Sequence, residues 1–232
     1  MTTRSLQTEL RTRILLQLRS AYKHNMEEGL CSPNAWFILD QSVAQALDFC
    51  YQGLFDLEFL ENFTEFGPLI GCGLSMPCIR NCTSLSVFDT VMTNYDAFLN
   101  FIDCHTDLLD TLKVLGESES YQMNVQIDGI QIELKKGIEH ASELIDNEIR
   151  ASFKEIMEPV NHRRSVYYIL VQQSNFINEM LAEGEVDEKQ AKFLLKELDQ
   201  KIAKMKTSSL KIRQLTSIEL LSGATDLITI FG

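Results

Sequence analysis

Residues 22–32 (YKHNMEEGLCS) and 178–187 (NEMLAEGEVD) share one layout, an amphipathic helix that stops on an acidic-glycine turn and restarts three residues later. A residue without a β-carbon adopts the left-handed backbone that closes a helix freely, so Gly29 and Gly184 are each read as a helix stop. Ser32 and Asp187 follow as N-caps, because a short side-chain oxygen accepts from the first free amides of the next helix. Pro33 suits the first position of the first restart, and Gln190, three residues after Asp187, completes a capping-box pattern in the second. Both stretches predict helical hairpins. The fold class expected is all-α, a bundle of long amphipathic helices joined by these two turns.

The flanking sequence agrees with that reading. Leu6, Leu10, Ile14, Leu18 and Tyr22 recur every four residues and predict a helix over 5–28. Such a row drifts about 40° per step around the helix, so its stripe touches more than one neighbour. A second helix over 33–51 points Trp36, Leu39, Val43, Leu47 and Cys50 inward. Residues 53–84, broken by glycines, prolines and three cysteines, predict an irregular buried connector. A long helix over 85–115 carries Phe88, Met92, Tyr95, Leu99, Ile102, Leu108, Leu112 and Leu115 on one side. From 125 to 158 another helix runs through Ile127, Ile130, Leu134, Ile138, Leu144, Ile145, Ile149, Phe153 and Ile156 and is stopped by Pro159. Its opening, VQIDGIQIEL, also alternates as a strand would. The last hairpin spans 164–183 and 188–206, its second arm bearing Leu194, Leu195, Leu198, Ile202 and Met205.

Composition bounds what the chain does. With 232 residues, 45% of them hydrophobic, it can bury a real core, as one large domain or as two. A formal net charge of −12 repels a nucleic-acid backbone, and nucleic acid is set aside as a partner. The tight basic pair Arg163-Arg164, beside His162, reads as a solvated helix start. The opening MTTRSLQTELRTR lacks the apolar segment of a signal peptide. The longest mostly apolar stretch, 66–79, is cut by Pro68, Gly71, Gly73 and Pro77 and is too short to span a bilayer.

The residues capable of chemistry do not assemble into a motif. The six cysteines, Cys31, Cys50, Cys72, Cys78, Cys82 and Cys104, read as reduced thiols and small buried hydrophobes. Cys72, Cys78 and Cys82 are spaced unlike a zinc knuckle, and no histidine lies nearby. His24, His105, His140 and His162 sit on predicted helices or helix edges. Cys104 and His105 are neighbours on a helix, about 100° apart, and do not pair as nucleophile and base. The carboxylates read as groups on polar helix faces that confer solubility and cap helix N-termini. No catalytic, cofactor-binding or metal-ligating residue is assigned, and no cofactor is expected.

Residues 9–48 (ELRTRILLQLRSAYKHNMEEGLCSPNAWFILDQSVAQALD) resemble the segment that follows the membrane domain in the large plasma-membrane sodium/proton antiporters, the plant salt-tolerance and animal sperm-type exchangers. Glu9, Leu10, Arg11, Arg13, Tyr22, Glu27, Gly29, Ala46, Leu47 and Asp48 match the pattern, whereas Lys23 departs from an aromatic. Two later blocks resemble the same family in the same order, AFLNFIDCHTDLLDTL (97–112) and YYILVQQSNFINEMLAEGEVDEKQAKFLLKELDQKIAKM (167–205).

The resemblance implies a non-catalytic cytosolic helical regulatory domain, at the cytosolic face of the plasma membrane. It would pair with its copy in a homodimer and lie between the transporter membrane domain and a downstream cyclic-nucleotide-binding domain of the same parent chain. Residues 1–206 form that domain and 207–232, rich in apolar side chains near the end, a linker towards the next one. The competing expectation is a free-standing cytosolic helical scaffold that binds partner helices.

Overall fold

Local signals start and stop most of the helices. In the computed structural model, which describes residues 3–64, 77–116 and 121–207, seven α-helices and no strand occur among the described residues. Helix α1 is Thr3–Glu27 and α2 is Pro33–Phe49. Between them Gly29 has φ +74°, and the Leu30 and Cys31 amides both return to the Asn25 carbonyl at 2.8 and 3.0 Å. Ser32 caps α2, its hydroxyl accepting from the Ala35 amide at 3.4 Å, with Pro33 directly after it.

Helix α3 is Asp56–Thr64, with Asp56 and Glu58 in its first turn, where carboxylates favour the positive helix end. Helix α4, Pro77–Gly116, is 40 residues long, about 60 Å at 1.5 Å per residue. Helix α5 is Tyr121–Leu144 and widens into a π-helical turn over Ile145–Arg150, which sends Ile145 and Ile149 into the core. A 3₁₀ turn, Lys154–Ile156, leads into α6, Met157–Ala182, and α7 is Glu188–Thr207.

The long α4 is the axis of the molecule, and α1, α2, α5 and the start of α6 pack against it. Its inward row is Phe88, Val91, Tyr95, Phe98, Phe101, His105, Leu108 and Leu112, which meets Leu15, Leu18 and Tyr22 of α1, Leu39 and Val43 of α2, and Ile130 and Leu134 of α5 in one core. Helix α7 packs on α6 alone among the stronger contacts, so it joins the rest of the molecule through α6, whose first half packs on the core.

Three expectations are corrected. Residues 53–84 are no irregular connector throughout, since α3 and the first turns of α4 fall inside them; 65–76 lie outside the described residues. Pro159 does not stop a helix. It sits third in α6, where the amide it lacks would have had no intrahelical partner. The break comes earlier, at Phe153 (φ −120°, ψ 31°), so the last hairpin begins at Met157 rather than at 164. The helix expected over VQIDGIQIEL is present, in α5. The expectations for Cys72, Cys78 and Cys82 and for the linker lie outside the described side chains.

Candidate functional site

The polar interior gathers around the α1–α2 turn. A Cβ placed on Gly29 would meet Val171 Cβ of α6 at 2.6 Å, so the turn touches α6 at a distance that only glycine allows. Two carbonyls of the turn accept from α6, Glu28 O from Gln172 Nε2 at 2.8 Å and Glu27 O from Asn175 Nδ2 at 3.3 Å. The other side is held by α4, where Asn100 Nδ2 donates to Leu30 O at 3.2 Å and Asn25 Nδ2 donates to Asn100 Oδ1 at 3.1 Å.

Asp96 of α4 binds the two sides together. Its Oδ2 accepts the Ser32 amide at 2.6 Å and its Oδ1 accepts Arg164 Nε of α6 at 2.7 Å, with the carboxylate only 2% exposed. A buried carboxylate is tolerated because both oxygens are satisfied, one by a cation.

A second buried cluster lies one turn along α4 towards α3. His105, 1% exposed, stacks on Phe101 with ring centroids 3.7 Å apart. Its Nδ1 is 2.8 Å from Phe101 O and 3.3 Å from the Tyr22 hydroxyl, and its Nε2 is 2.9 Å from Asp56 Oδ2. Burial first, then the charge of Asp56, holds the Tyr22 hydroxyl well above the usual phenol range. Nearby Cys104 takes a different partner, Asn25 Nδ2 at 3.3 Å, and burial pushes its thiol up to about 12. Cys31 is likewise raised by burial and then by Asp96.

This places the sequence-predicted residues in separate structural roles. Gly29, Ser32 and Pro33 belong to the junction just described. Gly184 (φ +77°) has open space around its Cβ direction, and Asp187 Oδ1 accepts the Lys189 and Gln190 amides at 2.8 and 2.9 Å. Gln190 therefore serves the cap through its backbone.

Two further readings are corrected. Arg163-Arg164 is no solvated helix start: Arg163 is 6% exposed, donates to Asp89 at 2.9 Å and to Met205 O at 2.7 Å, and lies over the Phe88 ring. Nor are all carboxylates on polar faces, since Asp56 and Asp96 are buried. Sequence reasoning missed both, along with Asn94 and Asn100. The available signal was four polar residues, Asn94, Asp96, Asn100 and His105, on the inner side of one apolar helix.

The α6–α7 hairpin presents an uncovered apolar surface. Among the described side chains, burial on α6 is confined to Val160, Arg163 and Tyr167, and on α7 to Ala191 and Leu198. Tyr168, Ile169, Phe176, Phe193 and Leu194 are exposed, Phe176 at 60% and Phe193 at 62%. No described helix is long and apolar enough to cross a membrane. The chain matches no protein-family model, and no curated protein matches it at a significant level.

Proposed function

We propose that the chain is a non-catalytic regulatory and dimerisation unit of a sodium/proton exchanger, coupling the membrane transporter to a downstream cyclic-nucleotide-binding-like fold. The observation that carries this reading is the convergence of the three resembling blocks. Residues 9–48 supply the Gly29 turn, residues 97–112 supply Asn100, and residues 167–205 supply Val171, Gln172 and Asn175, all in contact at that turn. Arg11 and Tyr22, which also carry the resemblance, hold interior positions; Arg11 donates from Nε to Glu133 of α5 at 3.1 Å. Gly29, Arg11 and Tyr22, three of the positions that make the likeness, thus stand at contacts between helices.

The exposed hairpin supports dimerisation. Each of its half-exposed aromatic or aliphatic side chains has about 1 kcal/mol still to gain from full burial, and patches of this kind mark interaction surfaces. The same patch favours the second reading, a free-standing scaffold for partner helices. Isolation of the native polypeptide containing residues 9–205, with peptide mass spectrometry of its gel band, separates the two. Peptides from membrane helices and from a nucleotide-binding fold in that band are expected. A native polypeptide carrying neither would contradict the exchanger reading.

A further inference from the structure

Helix α7 departs in charge from the rest of the chain. It carries six lysines against three carboxylates, in a protein whose formal net charge is −12. Successive residues step about 100° around a helix, which fixes the direction each takes relative to Ala191, the side chain buried on the α6 side. The arc opposite Ala191 holds Lys192, Lys196, Lys189, Gln200, Phe193 and Lys204 and no carboxylate, with Glu197 just past its edge. Lys192 is tied to Glu188 at 2.6 Å. Phe193 has Lys189 at i−4 and Lys196 at i+3, and is 62% exposed. Within its own chain this aromatic stays largely uncovered.

The same chain carries a cleft of the opposite character. About 530 Å³ in volume, it lies between α3 and the π-helical turn that ends α5. Phe98 and Ile149, both buried, supply its apolar floor. Glu58, Glu61 and Glu148 line it as well, and none of the described residues around it is basic. His140, beside it, is 3.2 Å from Glu61. Burial first, with the charges of Asp56 and Glu61 adding to it, holds the Glu58 carboxyl above the usual carboxylate range, so a further cation at this rim is favoured. An aromatic anchor filling a pocket with polar groups around it is the common centre of a protein interface.

We infer that the outward face of α7 seats on the acidic α3–α5 cleft of a second copy of this chain, Phe193 entering over Phe98 and Ile149 while Lys189 and Lys196 meet Glu58, Glu61 and Glu148 at the rim. The occupant is a second copy because this chain bears the complementary surface, while its own α7 packs on α6 and leaves Phe193 exposed. In a two-fold pair each copy gives its α7 and receives the other's, so the contact is made twice. The pairing rests on the dimerisation proposed above and is separate from the exchanger reading.

The test is sedimentation equilibrium of the full chain beside two charge-reversed forms, Lys189→Glu with Lys196→Glu on α7, and Glu61→Lys with Glu148→Lys at the cleft. All four side chains are exposed or half-buried, and circular dichroism checks that both forms fold. Each form alone is expected to dimerise at least about tenfold more weakly than the native chain, because like charges then face each other. An equimolar mixture of the two is expected to recover the native affinity, since every contact in the mixed pair again joins opposite charges. Raising salt from about 50 mM to about 500 mM should weaken the native dimer. Should the cleft form fail to fold, Glu148→Lys alone takes its place in the mixture. A dimer indifferent to the α7 reversal, or a mixture no tighter than its components, would overturn this pairing and leave dimerisation through the hairpin standing. A native chain that is monomeric at every concentration would overturn both.

Discussion

Asp96 and Arg164 meet at 2.7 Å between α4 and α6, and the second oxygen of the same carboxylate accepts the Ser32 amide at 2.6 Å. One side chain thus ties the start of α2 and the base of the hairpin to the central helix. Removing it leaves the half-buried Arg164 guanidinium and the half-buried Ser32 amide without their acceptor. Asp96→Ala is expected to cost about 2–3 kcal/mol in urea unfolding, with Asp96→Asn costing less because an acceptor remains. A loss below about 1 kcal/mol, the range of an exposed pair, would show that the carboxylate does not organise the junction.

The two glycine turns have the same backbone and different surroundings. At both, φ is positive and a β-carbon costs about 1–2 kcal/mol. At Gly29 a β-carbon also collides with Val171, adding about 1–3 kcal/mol of overpacking, whereas at Gly184 it meets open space. Gly29→Ala should therefore lower the unfolding midpoint more than Gly184→Ala. Val171→Gly, which removes the β-carbon that collides, should recover part of the first loss relative to its own cost and none of the second, a coupling that a double-mutant cycle measures.

How far the sequence could be read follows from which signals are local. Gly29, Ser32 and Pro33, and Gly184 and Asp187, act on amides within a few residues, so the helix starts at Pro33 and Glu188 could be read from residue types. The break at Phe153 carries no glycine or proline, and Pro159 lies where proline is harmless, so the boundary there was misplaced by its most visible residue. The Asp96–Arg164 and Asp56–His105 contacts join residues 68 and 49 positions apart in α4, α6 and α3, and nothing in a periodic pattern announces such partners. The hairpin aromatics Phe176 and Phe193 were legible as apolar and not as uncovered, because exposure depends on how far the other helices reach.

Alkaline stability follows from three buried acids. Tyr22, Cys31 and Cys104 are all held above their ordinary values, so between pH 9 and their folded values the unfolded chain has fewer protons bound than the folded one. The slope of unfolding free energy against pH is then negative. Stability should be fully present at about pH 7 and fall above about pH 9, by up to about 1.4 kcal/mol per pH unit for each group titrating. Denaturant unfolding at a series of alkaline pH values checks this, and Cys104→Ala should reduce the slope. A flat profile would show that these groups are open to solvent.

The hairpin surface should be dispensable for folding. Phe176→Glu and Phe193→Glu replace side chains that are mostly exposed, and each is expected to change stability by no more than about 0.5 kcal/mol. At a concentration where the native chain is monomeric, a large loss on thermal unfolding would mean that this face is covered within a single chain.

Sedimentation equilibrium of the chain at high micromolar concentration, beside the Phe176→Glu, Phe193→Glu double variant, tests most directly whether the hairpin is a dimerisation surface. A reversible homodimer is predicted for the native sequence and a monomer for the variant, with circular dichroism unchanged between them. A native chain that stays monomeric throughout, or a dimer indifferent to both substitutions, would contradict the account.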